Sequence, residues 1–300
     1  MRTRTVLRKS ISGTIFDCFN ATFMILFCIS ILFPFWDMIV LSFTPSDKVN
    51  TLSIKLWTDT WVIDSYKYIL SDTKILTAML VSIYRTVAGT LIHVVLVVFA
   101  AYPLSKTDIP YRKQMTIFFL IPMFFGGGLV PSYIINRYLG FVDNLLVYII
   151  PGAFSVYVMI IVRNYFMTMD KAIEESATID GASVLRILFS ILIPLAKPVL
   201  ATIALWQMVG QWNSWFDCLI YMRSEKKIVL QMILRRMLDN TSMMPEEIRQ
   251  YAETQPGFIQ FNSKTVQAAT TMLVVLPIIC VYPFLQKYFV KGIMLGGVKG

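Results

Sequence analysis

The chain has 300 residues, of which 56% are hydrophobic and 15% are charged, and its formal net charge is +9. The positive charge would suit a nucleic-acid-binding protein, but the basic residues lie in short segments between apolar runs and not on one soluble face, so we expect no nucleic-acid partner. Outer-membrane β-barrels are excluded as well, because their strands are about ten residues of alternating polarity, whereas these apolar runs are continuous.

The sequence contains six apolar runs, and most of them reach the roughly 20 residues that an α-helix needs to span a bilayer. In chain order they are Ile15 to Phe43, Ile75 to Leu104, Met115 to Tyr138, Leu145 to Val162, Val199 to Tyr221 and Val266 to Phe289. The pattern predicts an all-α membrane protein with six transmembrane helices. The first run is too long for the apolar part of a signal peptide and lacks a small-residue cleavage pattern, so we expect it to stay in the mature chain.

The distribution of basic residues predicts the orientation in the membrane. With the N terminus inside, the inner segments hold fourteen basic residues and five acids, whereas the two outer loops, 44–74 and 222–264, hold eleven basic residues and nine acids. An excess of Lys and Arg in short loops marks the cytoplasmic side. We therefore expect both termini to be cytoplasmic and the loop 222–264 to be extracytoplasmic.

The third apolar run contains the segment IPMFFGGGLVPSY, in which Pro122, Gly126, Gly127, Gly128 and Pro131 predict a break or kink in the helix. Irregular backbone at membrane depth is tolerated only against protein or a wet cavity. The three glycines are therefore candidates for a substrate pathway, and close helix packing on small residues is the alternative.

The segment between the fourth and fifth runs, residues 170–194, predicts a cytoplasmic helix-turn-helix. Asp170 can cap a first helix over Lys171 to Ile179, Gly181 supplies a flexible joint, and a second helix can run from Ala182 until Pro194. Its polar side carries Glu174, Glu175 and Asp180, and its apolar contacts come from Ile173, Ala177, Leu185, Leu188 and Phe189. A surface helix with both features can dock into a groove on another protein.

Some polar and aromatic residues lie within or beside the apolar runs, and ionisable groups at membrane depth tend to face the bundle interior or water. The ionisable ones lie toward the outer ends of the runs and are Asp37, Arg85, Asp143 and Asp217. Further pathway candidates, with aromatic faces or amide groups that suit sugars, are Trp206, Gln211, Trp212 and Asn213. An interfacial aromatic belt with snorkelling charges is the alternative, and we favour it for Trp215 and Asp217. Arg85 can pair with a uronate carboxylate or, as we favour, with an internal acid.

The sequence contains no motif for nucleotide binding, metal binding or catalysis. It has no G-x-x-x-x-G-K-[ST] motif, so ATP chemistry would belong to a partner. The single histidine, His93, has no second histidine or cysteine at ligand spacing, so we expect no metal site and no bound cofactor. No nucleophile and base occur in a catalytic arrangement either. We therefore expect a protein that is not an enzyme.

The segment 170–194 resembles the EAA loop of ABC-importer permeases, whose pattern is Glu-Ala-Ala, three residues, Gly, nine residues and Ile-x-Leu-Pro. At the same spacing this chain has Glu175-Ser176-Ala177, Gly181 and Ile191-Leu192-Ile193-Pro194, with Ser176 and Ile193 as the two departures. The segments AAYPLSK, EESATIDGAS, IPLAKP, GQWNSWFD and YPFLQKYFVKGIMLGGVKG look similar to the second permease of maltodextrin-type carbohydrate importers, particularly members that import polysaccharide fragments. This resemblance covers nearly the whole chain.

The resemblance implies the type I ABC importer permease fold over residues 1–300, in a multi-pass protein of the bacterial cytoplasmic membrane. It implies a second, homologous permease, two ATPase subunits that bind ATP and Mg, an extracytoplasmic sugar-binding protein that meets the loop 222–264, and an oligosaccharide substrate. The residues that it implies for coupling to the ATPase are Glu174, Glu175, Ala177, Asp180, Gly181, Lys299 and Gly300. The alternatives are a permease of the same architecture for another solute, such as a polyamine or phosphate, and, less favoured, an ion-coupled secondary carrier.

Overall fold

A computed structural model of the chain describes residues 11–49, 55–243 and 263–292, and these residues form helices, turns and irregular segments without any strand. They divide into two compact units. One contains the described residues up to Ile69 and those from Ser263 to Met272, and the other contains Leu70–Met243 and the described residues from Leu273 onward.

The first unit is built on α1, Ile11–Ser42, whose side chains from Ile15 to Trp36 are all exposed. The polypeptide then folds back along the last turns of this helix. Trp36 Nε1 donates a hydrogen bond to the carbonyl of Leu56 at 2.9 Å, and the amide of Val62 donates to the carbonyl of Phe43 at 2.8 Å. The helix α2 follows at Asp64–Ser71.

The second unit is organised around α3, Thr73–Ser105, which begins where the Asp72 carboxylate accepts a hydrogen bond from the Lys74 amide at 2.8 Å. The next run forms two helices, α4 over Arg112–Phe124 and α5 over Leu129–Tyr138, which are bent by 112° at the glycine segment between them. The predicted break is therefore present, and Gly128 has a φ of +79° that favours glycine.

The fourth apolar run is not one continuous helix. It contains a short 3₁₀ helix, Leu145–Tyr148, and then α6, Val156–Met167, which Ser155 caps. Between them lie Pro151 and Gly152, and a proline that lacks an amide hydrogen followed by a glycine favours such an interruption.

The helices α7, Lys171–Ile179, and α8, Val184–Leu195, follow, and α8 contains a π-helical stretch at Leu188–Leu192. The second helix ends at Leu195, one residue after Pro194, and this end is close to the one that the sequence predicted. The next helix, α9 over Lys197–Asn213, is bent by 80° from α8.

The last elements are α10 at Phe216–Tyr221, a 3₁₀ helix at Glu225–Lys227, α11 at Leu230–Met243 and α12 at Ser263–Gly292. By length and composition, three of the described helices can each cross a membrane, at Ile15–Ser42, Thr73–Ser105 and Lys264–Val281. The pairs α4–α5 and α8–α9 raise this number to five if each is one bent span.

Two hydrophobic clusters form the core of the second unit, and α3 contributes to both. The first cluster packs the C-terminal half of α3 against α6, α8 and α9, and consists of Val97, Val98, Ala101, Tyr102, Leu104, Met159, Val162, Phe166, Ile187, Leu188, Leu192, Ala196 and Ile203. The second cluster lies toward the start of α3 and consists of Val81, Val147, Tyr148, Ile149, Cys218, Tyr221, Ile228, Val229 and Met232. One continuous helix thus connects two separately packed regions.

Candidate functional site

The helix-turn-helix between α6 and α9 has the local geometry that the sequence predicts. Asp170 accepts a hydrogen bond from the Ala172 amide at 3.0 Å and caps α7. Gly181 has a φ of +78°, and a hydrogen bond of 2.9 Å from the Ala182 amide to the Ala177 carbonyl closes the turn. This φ is readily adopted by glycine and disfavoured for other residues, so Gly181 defines the angle at which α8 leaves α7.

One face of this helix-turn-helix is left uncovered by the residues that the structure describes. Ala177 packs against the first cluster, whereas Glu175 and Asp180 are exposed to solvent. Beside the two acids lie Ile179, which is 86% exposed, and Val184, which is 63% exposed. Acids next to exposed apolar side chains are typical of a surface that docks into a basic-rimmed groove. Leu188, which the sequence placed among the apolar contact residues, is instead buried in the first cluster.

Glu174 and Glu175 are neighbours in sequence but have different surroundings. The Glu174 carboxylate forms an ion pair with the ammonium group of Lys106, and its side chain is 21% exposed. Glu175 points into solvent. The two acids therefore differ in their contacts, because Glu174 pairs with Lys106 of the same chain and Glu175 is exposed.

A cleft of about 610 Å³ separates the end of α3 from α7. It is lined by Ser105–Asp108, by the end of α6 and by α7 residues that include Lys171, Glu174 and Glu175. The ion pair of Lys106 with Glu174 joins the two walls of this cleft.

Near the second cluster, the guanidinium of Arg85 forms a dense hydrogen-bond network, and the side chain is only 2% exposed. Nη2 donates to Asp217 Oδ2 at 2.6 Å, and Nη1 donates to Asp217 Oδ1 at 3.1 Å, which makes the pair bidentate. Nε and Nη2 both donate to Gln211 Oε1, at 3.1 and 2.9 Å, and Nη1 donates to the Ser214 carbonyl at 3.1 Å. These contacts use all five N–H donors of an arginine side chain.

The partners of Arg85 are themselves fixed. The Asp217 carboxylate also accepts hydrogen bonds from the Cys218 amide at 2.9 Å and from Ser214 Oγ at 3.2 Å. The guanidinium carbon lies 4.5 Å from the centre of the Tyr148 ring, which is close enough for a cation–π interaction. The sequence favoured pairing of Arg85 with an internal acid, and the structure identifies Asp217 as that acid. The snorkelling position that the sequence favoured for Asp217 is therefore wrong, because its carboxylate is held by a buried guanidinium.

The Arg85 network lines a cavity of about 340 Å³ between α3, α5 and α9. Its wall combines aromatic rings with hydrogen-bonding groups and consists of Arg85, Ser132, Asn136, Val147, Tyr148, Pro151, Gly152, Gln207, Gly210, Gln211, Ser214, Asp217 and Tyr221. Concave sites of this size with a few placed polar groups are typical of small-molecule binding. We refer to it as the Arg85 cavity.

Among the sequence-predicted pathway residues, Arg85 and Gln211 lie together in this cavity, and the others lie elsewhere. Trp212 is buried and donates from Nε1 to the carbonyl of Val274 at 2.9 Å, which is a packing role. Asn213 accepts a hydrogen bond from Gln231 at 3.2 Å, and Trp206 is 51% exposed. The three glycines at 126–128 are exposed at the break between α4 and α5 and do not line the Arg85 cavity.

Sequence reasoning missed several residues of the cavity wall, including Asn136, Gln207 and Tyr221. Asn136 is 8% exposed and donates to the Tyr221 hydroxyl at 2.9 Å. A polar residue in an apolar run was the available signal, because Asn136 and Gln207 both interrupt such runs. The sequence did not show which of them face the same cavity.

Gly89 shows why the Gln211 amide can reach Arg85. A side-chain carbon at this position would lie 2.9 Å from Gln211 Nε2 and 3.1 Å from its Cδ. Glycine therefore gives Gln211 the room to lie against α3, where its carbonyl oxygen meets the guanidinium.

Some of the residues that the sequence analysis singled out lie outside the ranges that the structure describes. Lys299 and Gly300 lie outside the described residues, and so do residues 244–262 of the loop 222–264. Within the ranges that the structure describes, no group of three or more His, Cys, Asp or Glu residues comes together as a metal site.

Comparison with known proteins identifies the family. Residues 93–295 match the model for the binding-protein-dependent transport system inner membrane component. The chain is 34% identical over 292 residues to Protein LplC of Bacillus subtilis (strain 168), covering 96% of each chain. It is 32% identical to the polygalacturonan/rhamnogalacturonan transport system permease protein YtcP of the same organism, covering 95% of this chain and 99% of YtcP.

The fold is similar to a solved structure as well. A crystal structure of a bacterial ABC transporter involved in the import of the acidic polysaccharide alginate contains a chain that matches with a TM-score of 0.85 and 32% identity. The match covers 95% of this chain and 100% of that chain. These matches, with the apolar helices described above, show that this multi-pass membrane protein belongs to the family of inner membrane components of binding-protein-dependent transport systems.

Proposed function

We propose that the chain is the permease subunit of an ABC importer that moves oligosaccharides across the bacterial cytoplasmic membrane. The observation that carries this proposal is the uncovered face of α7 and α8, with Glu175, Asp180 and the glycine joint in the pattern of a coupling loop. The permease YtcP and the alginate transporter support a saccharide as the substrate. The chain itself acts as a transport subunit and not as an enzyme.

In this proposal the chain crosses the membrane six times, and both termini are cytoplasmic. The spans are α1, α3, the bent pair α4–α5, the segment 145–167, α9 with α10, and α12. Since α7 and α8 then lie on the cytoplasmic side and α11 on the outer side, the excess of basic residues in the inner segments supports this orientation.

The proposed partners are a homologous second permease, two ATPase subunits and an extracytoplasmic sugar-binding protein. ATP and Mg bind to the ATPase subunits, and this chain binds neither. ATP binding draws the two ATPase subunits together, and the docked α7–α8 hairpin moves with them. The spans then rock from an inward-facing to an outward-facing arrangement, which is a rigid-body transition between two states.

The outer loop 222–264 is the proposed contact of this chain with the sugar-binding protein. Its described part contains α11, Leu230–Met243, whose polar face includes an ion pair between Arg235 and Asp239 at 3.0 Å. A helix that presents charged side chains outside the membrane can steer and orient a soluble partner.

The Arg85 cavity is the proposed part of the substrate pathway in this chain. Hydroxyl-rich ligands need hydrogen-bond donors and acceptors, and Asn136, Gln207 and Ser132 supply them at the wall. Tyr221, stacked on Tyr133 with ring centres 5.8 Å apart, adds an aromatic surface.

Two substitutions in the helix-turn-helix test the proposal. Glu175→Lys reverses a charge at the docking surface, and loss of a charge pair across an interface costs about 2 to 5 kcal/mol. Gly181→Asp acts differently, because a side chain disfavours the φ of +78° and redirects α8. Both variants should insert and fold, yet lose substrate-stimulated ATP hydrolysis and uptake together.

Gly140→Asp is the matched control, since Gly140 has a φ of +74° and lies outside the helix-turn-helix. It should carry a similar backbone strain while keeping uptake linked to ATP hydrolysis. A compensating acid at the facing ATPase position should partly restore Glu175→Lys and leave Gly181→Asp defective. Wild-type uptake by Glu175→Lys would show that this segment is only a connector.

A further inference from the structure

The end of α3 is held by contacts that leave Lys106 facing α7. Lys106 caps the C terminus of α3, where its amide donates to the Pro103 carbonyl at 3.0 Å. Arg112 donates from Nε to the Leu104 carbonyl at 2.8 Å and so satisfies another carbonyl of the last turn. A cation at this position also interacts favourably with the helix dipole.

The Lys106 side chain lies over the Tyr102 ring, with Nζ 4.5 Å from the ring centre, and reaches the Glu174 carboxylate on α7. Tyr102 is 7% exposed and packs edge-on against Phe166, with ring centres 6.2 Å apart. The ammonium group therefore lies over a buried ring of the first cluster, and only 26% of the Lys106 side chain is exposed.

Lys106 has charged neighbours both on α7 and outside it. Burial is the largest influence and lowers the pKa of the Lys106 ammonium; the Asp108 carboxylate raises this pKa, and Lys171 lowers it. An acid in contact with a half-buried ammonium stabilises its charged form, and Glu174 makes such a contact. Asp108 follows α3 in the chain, whereas Glu174 and Lys171 lie on α7, so α7 carries one attractive and one repulsive neighbour of Lys106.

The helix that Lys106 caps, α3, also carries Arg85 in its N-terminal half. Arg85 and Lys106 are 21 positions apart, which corresponds to about 32 Å of helix axis at about 1.5 Å per residue. The structure has α3 unbroken over this length, from Thr73 to Ser105. One uninterrupted helix therefore connects the end of α3 at Lys106 with the Arg85 cavity.

We propose that Lys106 and Glu174 are positioning residues that join α7 to the end of α3, so that α7 and α3 move as one body when the ATPase subunits close. This inference rests on the proposed function of α7 as the helix that docks on the ATPase. It assigns the two neighbouring acids separate roles, since Glu175 meets the partner and Glu174 connects the docked helix to the transmembrane core.

The test uses the complete transporter in lipid nanodiscs and measures the number of sugar molecules moved per ATP hydrolysed. Lys106→Gln and Glu174→Gln should each lower this ratio by about two- to thirty-fold, the range expected for residues that carry coupling. The combined variant should be no worse than either single variant, because both remove one contact. The charge exchange Lys106→Glu with Glu174→Lys should recover much of the ratio.

Lys113→Gln is the matched control, because it removes a positive charge from an exposed position in the same inner segment. It should leave the ratio unchanged. The thermal unfolding midpoint and the yield of assembled complex are measured for every variant. A purely structural role would lower stability or assembly and leave the ratio per assembled complex unaltered, and that outcome would overturn the inference.

The inference also fails if both single variants transport normally, or if the exchanged pair stays as defective as the single variants. Its failure can be distinguished from failure of the proposed function. If Glu175→Lys abolishes uptake while Lys106→Gln does not, the docking role of α7 stands and only the connection to α3 is wrong. If Glu175→Lys transports normally, the docking role itself is wrong.

Discussion

Replacement of Arg85 by glutamine removes the charge at the centre of the Arg85 cavity while keeping a side chain that forms hydrogen bonds. The guanidinium donates twice to Asp217, twice to Gln211 and once to the Ser214 carbonyl. In Arg85→Gln the Asp217 carboxylate loses a bidentate partner, and the Gln211 oxygen loses two donors. The variant therefore leaves a negative charge beside a largely buried wall.

The size of the effect follows from the burial of the two partners. Removing one member of a buried ion pair costs about 3 to 5 kcal/mol, because the other charge stays uncompensated. Arg85 is 2% exposed, but the Asp217 side chain is 25% exposed, so water can partly solvate the carboxylate that remains. We therefore expect Arg85→Gln to lower the free energy of unfolding by an amount at the lower end of that range, about 3 kcal/mol.

The assay compares thermal unfolding and the uptake of neutral and acidic oligosaccharides in reconstituted transporters. Arg85→Gln should lower the unfolding midpoint and should reduce uptake of both substrate types by a similar factor. Arg85→Gln combined with Asp217→Asn should recover part of the stability, since the uncompensated charge is gone. A loss confined to acidic substrates, with unchanged stability, would refute this reasoning and would show that the guanidinium binds a substrate carboxylate.

Two further predictions concern stability. Gly89→Ala should destabilise the protein by about 1 to 2 kcal/mol, because the added carbon would lie 2.9 Å from Gln211 Nε2 and displace the amide that holds Arg85. Gly210→Ala is its control: no atom lies within 4 Å of the added carbon, so the thermal unfolding midpoint should stay constant or rise. Asp143 accepts hydrogen bonds from the Ser224 and Arg223 amides and from Lys227, and these contacts, with Ser224 first, lower the pKa of its carboxyl. The stabilisation that ionised Asp143 contributes is complete above the ordinary aspartate pKa of about 4 and is lost as the pH falls through the lowered pKa. The thermal unfolding midpoint should therefore fall less for Asp143→Asn than for the wild-type protein when the pH is lowered from about 6 to about 3. An equal fall in both proteins would contradict this role of Asp143.

The helix-turn-helix could be predicted from the sequence because its determinants are local. Asp170 caps the helix that follows it, and Gly181 provides the left-handed turn only a few residues later. Hydrogen bonds between residues two to five positions apart fix both features. The break at Gly126–Gly128 could be predicted for the same reason, since the glycines and flanking prolines act on their own backbone.

The interruption before α6 was not predicted, because hydropathy does not distinguish an apolar helix from an apolar irregular segment. Ile149 and Val147 are both buried in the second cluster, so their hydrophobicity reflects packing against other parts of the chain. An apolar run therefore indicates that its residues are buried or contact lipid, and it does not by itself indicate a helical backbone.

The neighbouring acids Glu174 and Glu175 have surroundings that could not be predicted from nearby residues alone. Glu174 and Glu175 have the same chemistry and adjacent positions, and the resemblance assigns both to the ATPase contact. Adjacent residues on a helix point about 100° apart, so when one faces solvent the other can face the core. Here Glu174 is the acid that pairs within the chain, because Lys106, 68 residues earlier, lies beside it. No local sequence pattern reveals this contact.

The role of Arg85 depends on contacts at even longer range. Its partners Gln211 and Asp217 follow 126 and 132 residues later, so the sequence could name an internal acid as one possibility without identifying it. A guanidinium that binds a substrate carboxylate must have free N–H groups directed at the pathway. Here all five are already donated to groups of the protein, so a carboxylate could bind only by displacing Asp217, Gln211 or the Ser214 carbonyl. A substrate carboxylate would have to bind Arg85 more strongly than Asp217 does, although Asp217 already makes a bidentate contact. The ion pair of Arg85 with Asp217 therefore supports the cavity wall and is not the group that binds the ligand.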